Sequence, residues 1–297
     1  MPHDMTGPRR ATTLDEMKAI SARFATDTGW ARGLAYRPDP TDVFISPYAK
    51  CGTTWVQQIV HGLRSGGDMS FDEITAAVPW IEMAHDMGID IPGDQPRPRA
   101  FKSHLSWHDI PKGGRYIVVM RDPLDAMRSL YRFFEGWYFE PGSIPFDTFA
   151  EYYLDRDTSD DYWTHAMSWW DVRNRDEVLI LAYEHMRGDL AGTVTRVARF
   201  IGVTDPAAIT IATRQATFDF MKAHQRQFDD HLIRESRDAA CGLPPDGKAS
   251  KVHTGTVSGE AHLLSDAMRG RFAARWKATM GARFGLRDYT ALLDTLG

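Results

Sequence analysis

Short apolar, β-favouring runs alternate with helix-period segments along this chain, and that alternation constrains the fold more than any other feature. Four such runs stand out: Asp42-Val43-Phe44-Ile45-Ser46, a unit starting near Arg99-Ala100-Phe101-Lys102-Ser103-His104, Tyr116-Ile117-Val118-Val119-Met120 and Val178-Leu179-Ile180-Leu181-Ala182-Tyr183. A strand that is apolar on both faces must be covered on both, which a parallel sheet between helical layers achieves. Helical patterns fall between the runs, at Thr53 to Val60, around Ala126, Leu130 and Phe133, and from Leu190 to Ile201. The expected fold class is therefore α/β, a central parallel sheet flanked by helices. Leu14, Met17, Ile20 and Phe24 recur at helical spacing, so residues 1–40 are expected to form a helical segment with one amphipathic helix over about 12–27. Residues 225–262 are rich in charge, Gly and Pro and are expected to form a long loop serving as a lid or cofactor loop, before a helical pattern resumes from Ser265 to about Arg283. With no internal repeat and no linker, residues 1–297 are expected to fold as a single domain.

Composition narrows the partners. Hydrophobic residues are 43% and charged residues 25%, which excludes intrinsic disorder as the main description. Thirty-five Lys and Arg against forty Asp and Glu leave a formal charge of −5, which argues against broad binding to nucleic acid or anionic lipid but permits a local basic pocket. No long apolar run suggests membrane insertion, and Met1-Pro2-His3-Asp4-Met5 lacks the basic start of a signal peptide, so a cytoplasmic protein is expected. Two cysteines, Cys51 and Cys241, cannot build a disulfide framework.

The first apolar run delivers Ser46-Pro47-Tyr48-Ala49-Lys50-Cys51-Gly52-Thr53-Thr54 to a helix start. Unpaired N–H groups and the positive dipole end at a helix N-terminus attract anions, Gly52 permits close approach, and Lys50 adds a full charge. In G-x-x-x-x-G-K-[ST] nucleotide loops the lysine follows the glycine and a hydroxyl holding magnesium follows the lysine. Here the lysine precedes the glycine, which points to phosphate cradling without a dedicated metal. The same residues also suit a plain N-cap by Thr53 or Thr54 beside a surface lysine. His104 and His108 lie four apart, but without the glutamate of H-E-x-x-H no metal site is expected.

Lys50-Cys51-Gly52-Thr53-Thr54-Trp55 resembles the 5′-phosphosulfate loop of the cytosolic-type sulfotransferases, which use 3′-phosphoadenosine 5′-phosphosulfate (PAPS). The resemblance continues in order through Val78-Pro79-Trp80-Ile81-Glu82, similar to the family's acceptor-pocket segment, Phe101-Lys102-Ser103-His104-Leu105, and Arg121-Asp122-Pro123-Leu124-Asp125 to Ser129-Leu130-Tyr131. His165 through Trp169-Trp170, Tyr183-Glu184-His185-Met186 and Thr217-Phe218 through Met221-Lys222 resemble further landmarks.

The resemblance implies a PAPS-dependent sulfotransferase fold and activity, with 3′,5′-adenosine bisphosphate as product and no metal. It implies Lys50 and Lys102 as charge-stabilising catalytic groups and His104 as general base, whose ordinary pKa near neutrality suits the task. It places Lys50, Cys51, Gly52, Thr53, Thr54 and Trp55 on the 5′-phosphosulfate and adenine, Arg121 and Ser129 on the 3′-phosphate, and Tyr183, Thr217 and Phe218 on the nucleotide. Lys251, His253 and Gly255 stand where the family carries Arg-Lys-Gly. Cys51, beside Lys50 at a helix start, is either an oxidation-sensitive thiol or a plain replacement for the family's serine. Trp169 and Trp170 are expected to fill core. For the acceptor, the expectation is a small hydrophobic or amphipathic hydroxyl compound (phenol, alcohol, lipid or glycolipid) against Trp80, Phe133 and Trp137, among aromatics that also include Trp107, Phe134, Tyr138 and Phe139. The oligomeric state is left open. Two other functions compete: a phosphate-loop kinase-like phosphotransferase, which needs magnesium, and a nucleotide-binding protein without turnover.

Overall fold

The computed structural model describes residues 7–156, 161–247 and 264–296. Helices α1 (Leu14–Ser21) and α2 (Asp27–Leu34) precede strand β1 (Val43–Ile45), α3 (Thr53–Ser65) and a short α4 (Ile74–Ala77). Strands β2 (Ala100–Lys102) and β3 (Arg115–Met120) lead to α5 (Pro123–Phe134), α6 (Phe146–Asp155) and α7 (Tyr162–Asp171). Strand β4 (Val178–Ala182) runs into α8 (Tyr183–Gly188), followed by α9 (Leu190–Ile201), α10 (Pro206–Gln215), α11 (Phe218–Ala223), α12 (His231–Cys241) and α13 (Asp266–Trp276).

All four strands are parallel, in the order β2-β1-β3-β4. Because side chains alternate across a strand, each strand feeds two separate cores. Phe44, Phe101, Tyr116, Val118 and Met120 join one cluster, with Trp163, Trp169 and Trp170; Val43, Ile45, Ala100, Ile117 and Val119 join the other, with Val56, Ile59 and Val60 of α3 and Val194 and Val197 of α9. In the first, an aromatic ladder crosses the sheet, with Tyr36–Phe101, Phe101–Phe44 and Phe44–Tyr116 centroids 4.8, 5.5 and 5.6 Å apart. Of these rings Phe44, Phe101 and Tyr116 are fully buried, each contributing about 1.5–3 kcal/mol of hydrophobic stabilisation.

Two segments depart from expectation. The N-terminal helix is two helices: Thr13 caps α1, and Thr26 caps α2 by accepting from Gly29 N at 2.9 Å, which leaves Phe24 in the joint between them. The irregular chain expected over 225–262 is, in its described part, a 3-10 turn at Gln225–Phe228 and the helix α12. Its buried stripe of Ile233, Arg237 and Cys241 has helical spacing, but an arginine at the middle position hides it from a hydrophobicity pattern.

Candidate active site

The carboxyl ends of β1, β2 and β3 open into one cavity of about 820 Å³. One half of it starts at the loop after β1. Lys50 has φ +65 and Gly52 φ +99, so two left-handed residues fold the chain tightly onto the start of α3. The position of Gly52 tolerates no other residue easily, since a Cβ there would lie 3.1 Å from the Tyr183 ring. Gly52 itself is the N-cap and has no side-chain capping bond, which corrects the reading of Thr53 or Thr54 as an ordinary cap. The Thr53 hydroxyl is buried without a hydrogen-bond partner. An uncapped helix start, an orphaned hydroxyl and a lysine on one loop are a donor set in search of an anion.

The loop is braced from β3 and α7. Arg121 Nη1 donates to the Lys50 carbonyl at 2.7 Å, its guanidinium lies 4.3 Å from the Tyr183 ring centroid, and its Nε is buried without a partner. Tyr162 donates to the Arg121 carbonyl at 2.6 Å. Asp122 caps α5 by accepting from Leu124 N and Asp125 N, with Pro123 in the first turn. The Arg-Asp-Pro sequence thus combines an anion donor with a helix start, and Ser129 follows on α5 in the cavity wall. Trp55, Tyr183, Thr217 and Phe218 line the same half; Trp55 Nε1 donates to Ala216 O at 2.7 Å, while Phe218 presents an exposed ring.

Where the two halves meet, Lys50 Nζ lies 3.7 Å from the Phe133 ring centroid and Lys102 Nζ 3.8 Å from that of Trp80. His104 Nδ1 is 2.8 Å from the Pro47 carbonyl. A carbonyl only accepts, so Nδ1 carries the proton and the lone pair of the neutral ring sits on Nε2. The ring stands edge-on to Trp80, with centroids 5.1 Å apart. A second histidine, His165, braces the preceding carbonyl from below, its Nε2 3.1 Å from Ser46 O.

Beyond them an aromatic wall of Trp80, Phe133, Phe134, Trp137 and Tyr138 is completed by Phe24, from the joint between α1 and α2. Trp137 is fixed by its Nε1, which donates to Asp238 on α12 at 2.8 Å. Trp107 and Phe139 are not in this wall. Phe139 is core, and Trp107 lines a separate, more open cleft of about 1020 Å³ at the amino ends of β3 and β4. Cys51 also lies outside the cavity lining: it is fully buried, and burial pushes its thiol up to about 12, which corrects the reading of a low-pKa, oxidation-sensitive thiol. Trp169 and Trp170 are core, as expected.

Lys251, His253 and Gly255 lie outside the described residues. The cavity also holds groups absent from the sequence reading: Arg128, Arg132, Arg156 and Arg187 add four cations, with Asp125 and Asp230 the carboxylates opposing them. Arg128 and Arg132 follow Asp125 on one face of α5, a signal visible only once that helix is oriented. Among the described residues no three His, Cys, Asp or Glu side chains gather to hold a metal ion, and no helix is long and apolar enough to cross a membrane.

Comparison with known proteins places the chain among the sulfotransferases. Rat (Rattus norvegicus) sulfotransferase 1C2 is 26% identical over 285 residues, covering 92% of this chain and 94% of the relative. Dog (Canis lupus familiaris) sulfotransferase 1B1 is 31% identical over 185 residues, 58% of this chain and 62% of the relative. Among solved structures, retinol dehydratase in complex with androsterone and inactive cofactor PAP superposes with TM-score 0.67 at 18% identity, covering 91% of this chain and 94% of that one. Mouse sulfotransferase SULT7A1 complexed with PAP gives 0.65 at 19%, covering 88% and 92%. At those identities the likeness is one of fold. The model of the sulfotransferase domain matches residues 40–282, most of the 297-residue chain, and the chain belongs to the sulfotransferase domain family.

Proposed function

We propose that this enzyme transfers the sulfuryl group of PAPS to a hydroxyl of a hydrophobic or amphipathic small molecule, with His104 as general base. The observation that carries this reading is the junction of the two cavity halves, where His104, with Nδ1–H held on Pro47 O, shares one opening with Lys50 and Lys102. Nε2 takes the proton of the acceptor hydroxyl as its oxygen attacks sulfur. Lys50 and the N–H groups at the start of α3 neutralise the charge that builds on the bridging oxygen as the S–O bond breaks, and Lys102 offsets charge on the moving group. The 5′-phosphate takes the Thr53 hydroxyl, which is otherwise unpartnered, and the 3′-phosphate takes Arg121 and Ser129. Trp55 and Phe218 hold the adenine, and Trp80, Phe133 and Trp137 pack on the acceptor.

Support for the nucleotide comes from related structures that hold PAP, and for the acceptor class from those whose names include androsterone and retinol. The test is incubation with PAPS and a panel of phenols, alcohols and lipids without added metal, following 3′,5′-adenosine bisphosphate and sulfated product by mass spectrometry. Both should appear together and only with an acceptor. Turnover of ATP with magnesium in place of PAPS would establish the kinase reading instead, and nucleotide binding without product from any acceptor would establish the non-catalytic one.

A further inference from the structure

Behind the aromatic wall lies a carboxyl for which the transfer reaction as described has no use. Glu82 is 1% exposed. Its Oε1 accepts from the backbone N–H of His104 at 2.9 Å and from the Ser103 hydroxyl at 3.1 Å. Its Oε2 is buried, as is the indole Nε1 of Trp80, two residues earlier, whose N–H acts on this carboxyl and lowers its pKa against the effect of burial. The groups that act most on it among the described residues include no cation, and burial raises its pKa, which favours the protonated carboxyl. An unpaired acid in a dry site costs several kcal/mol unless it is neutral or otherwise compensated, so its placement calls for a reason.

The reason is in the backbone. Segment 79–82 runs beside β2 as an extra, irregular edge: Lys102 N donates to Pro79 O at 2.8 Å and Ile81 N to Lys102 O at 2.9 Å. That pairing fixes Trp80 over Lys102 but ends at Lys102, before His104. Past the end of β2, the Glu82 carboxyl continues the bracing by receiving the next donors, Ser103 and His104. Helix α2 seals the segment from outside, at Gly33, where a Cβ would strike the Ile81 carbonyl. His104 is therefore held at two points: its ring by Pro47 O, its backbone by Glu82.

We propose that Glu82 is a positioning residue for sulfuryl transfer: its Oε1 clamps the Ser103–His104 turn and thereby sets the place of the His104 ring relative to Lys102 and Trp80. The inference rests on the reading of His104 as the general base. It predicts that an oxygen acceptor at this point, rather than a charge or a filled volume, is what the reaction needs.

Three variants test this, each followed by acceptor KM, kcat and the dissociation constant of 3′,5′-adenosine bisphosphate. Glu82→Gln keeps the acceptor oxygen and mimics the protonated acid; it should transfer within about threefold of the parent. Glu82→Met fills the same volume without accepting a hydrogen bond. It should lose about 10- to 100-fold in kcat, the range expected for a small misplacement of a reacting group, while KM and nucleotide binding stay within about twofold. Glu82→Asn, whose oxygen falls short of His104 N, should behave like Glu82→Met, and it carries the test if Glu82→Met does not fold. The ring N–H of His104 should give a slowly exchanging proton resonance in the parent and Glu82→Gln, broadened in the other two. Parental kcat in Glu82→Met or Glu82→Asn, or a loss confined to KM, nucleotide binding or melting temperature, overturns the proposal. His104→Ala, run alongside, separates the two failures: if it transfers normally the base assignment is wrong, whereas if it is inactive and Glu82→Met is normal only the positioning role is wrong.

Discussion

Lys50 and Gly52 occupy the left-handed region on either side of Cys51, and the donors of the loop converge because of it. Gly52→Ala should cost about 1–2 kcal/mol of stability for the φ alone and push Tyr183 aside, lowering affinity for 3′,5′-adenosine bisphosphate; titration calorimetry with a melting curve checks both, and unchanged affinity would remove the loop from the site. Arg121 reaches the loop carbonyl through Nη1 and keeps an unpartnered buried Nε. Arg121→Ala should weaken binding of 3′,5′-adenosine bisphosphate about 10- to 100-fold, the worth of a charge-assisted contact, and weaken adenosine 5′-phosphate much less. Equal losses would reject its assignment to the 3′-phosphate. Cys51 illustrates what position in the sequence cannot reveal. A helix start beside a lysine suggests an activated thiol, yet full burial raises its pKa to about 12, so neither it nor the buried Cys241 should react with a thiol reagent at neutral pH until the protein unfolds.

At the level of elements, β1, β3 and β4 were legible because each carries an apolar run with no polar alternation, and the loop after β1 was legible because its lysine, glycine and threonines are contiguous. Helix α12 was not, because its inward stripe includes Arg237, whose guanidinium donates to the Arg23 and Phe24 carbonyls at 2.9 and 2.7 Å. Such a buried arginine is satisfied by backbone from a distant segment, which no local pattern records. That contact also braces Phe24 into the aromatic wall of the cavity, so the N-terminal joint and α12 form one unit with Trp137 and Asp238. At the other end of the cavity, Asp122 starts α5. Asp122→Ala should cost about 1 kcal/mol in thermal stability as the cap is lost and should displace Arg121 beside it; an unchanged melting temperature would deny the cap its role.

For the molecule as a whole, a formal charge of −5 coexists with seven cations and two carboxylates that line one cavity among the described residues. An acidic remainder disfavours general polyanion binding, while a local cluster of cations suits a small, highly charged ligand. Two buried histidines tie the fold to pH. Burial lowers His61 to about 4 and His165 to about 3, so both are neutral in the fold. Below about pH 6.5 the unfolded chain takes up their protons first, and stability should fall by about 1.4 kcal/mol per pH unit per histidine towards those lower values. His231 opposes this in part: burial lowers its pKa, but Asp72 and Asp229 outweigh burial and raise it. Melting temperature should therefore drop from pH 6.5 to pH 4.5, less steeply in His165→Gln, and a flat profile would contradict the burial of these rings. The central claim is that His104 takes the acceptor's proton. Its most direct test is the single-turnover rate of sulfated product formation from PAPS in the parent and in His104→Ala, with nucleotide affinity measured in parallel. The account predicts a loss of about 100-fold or more in rate, with affinity within about threefold; transfer by His104→Ala at the parental rate would contradict it.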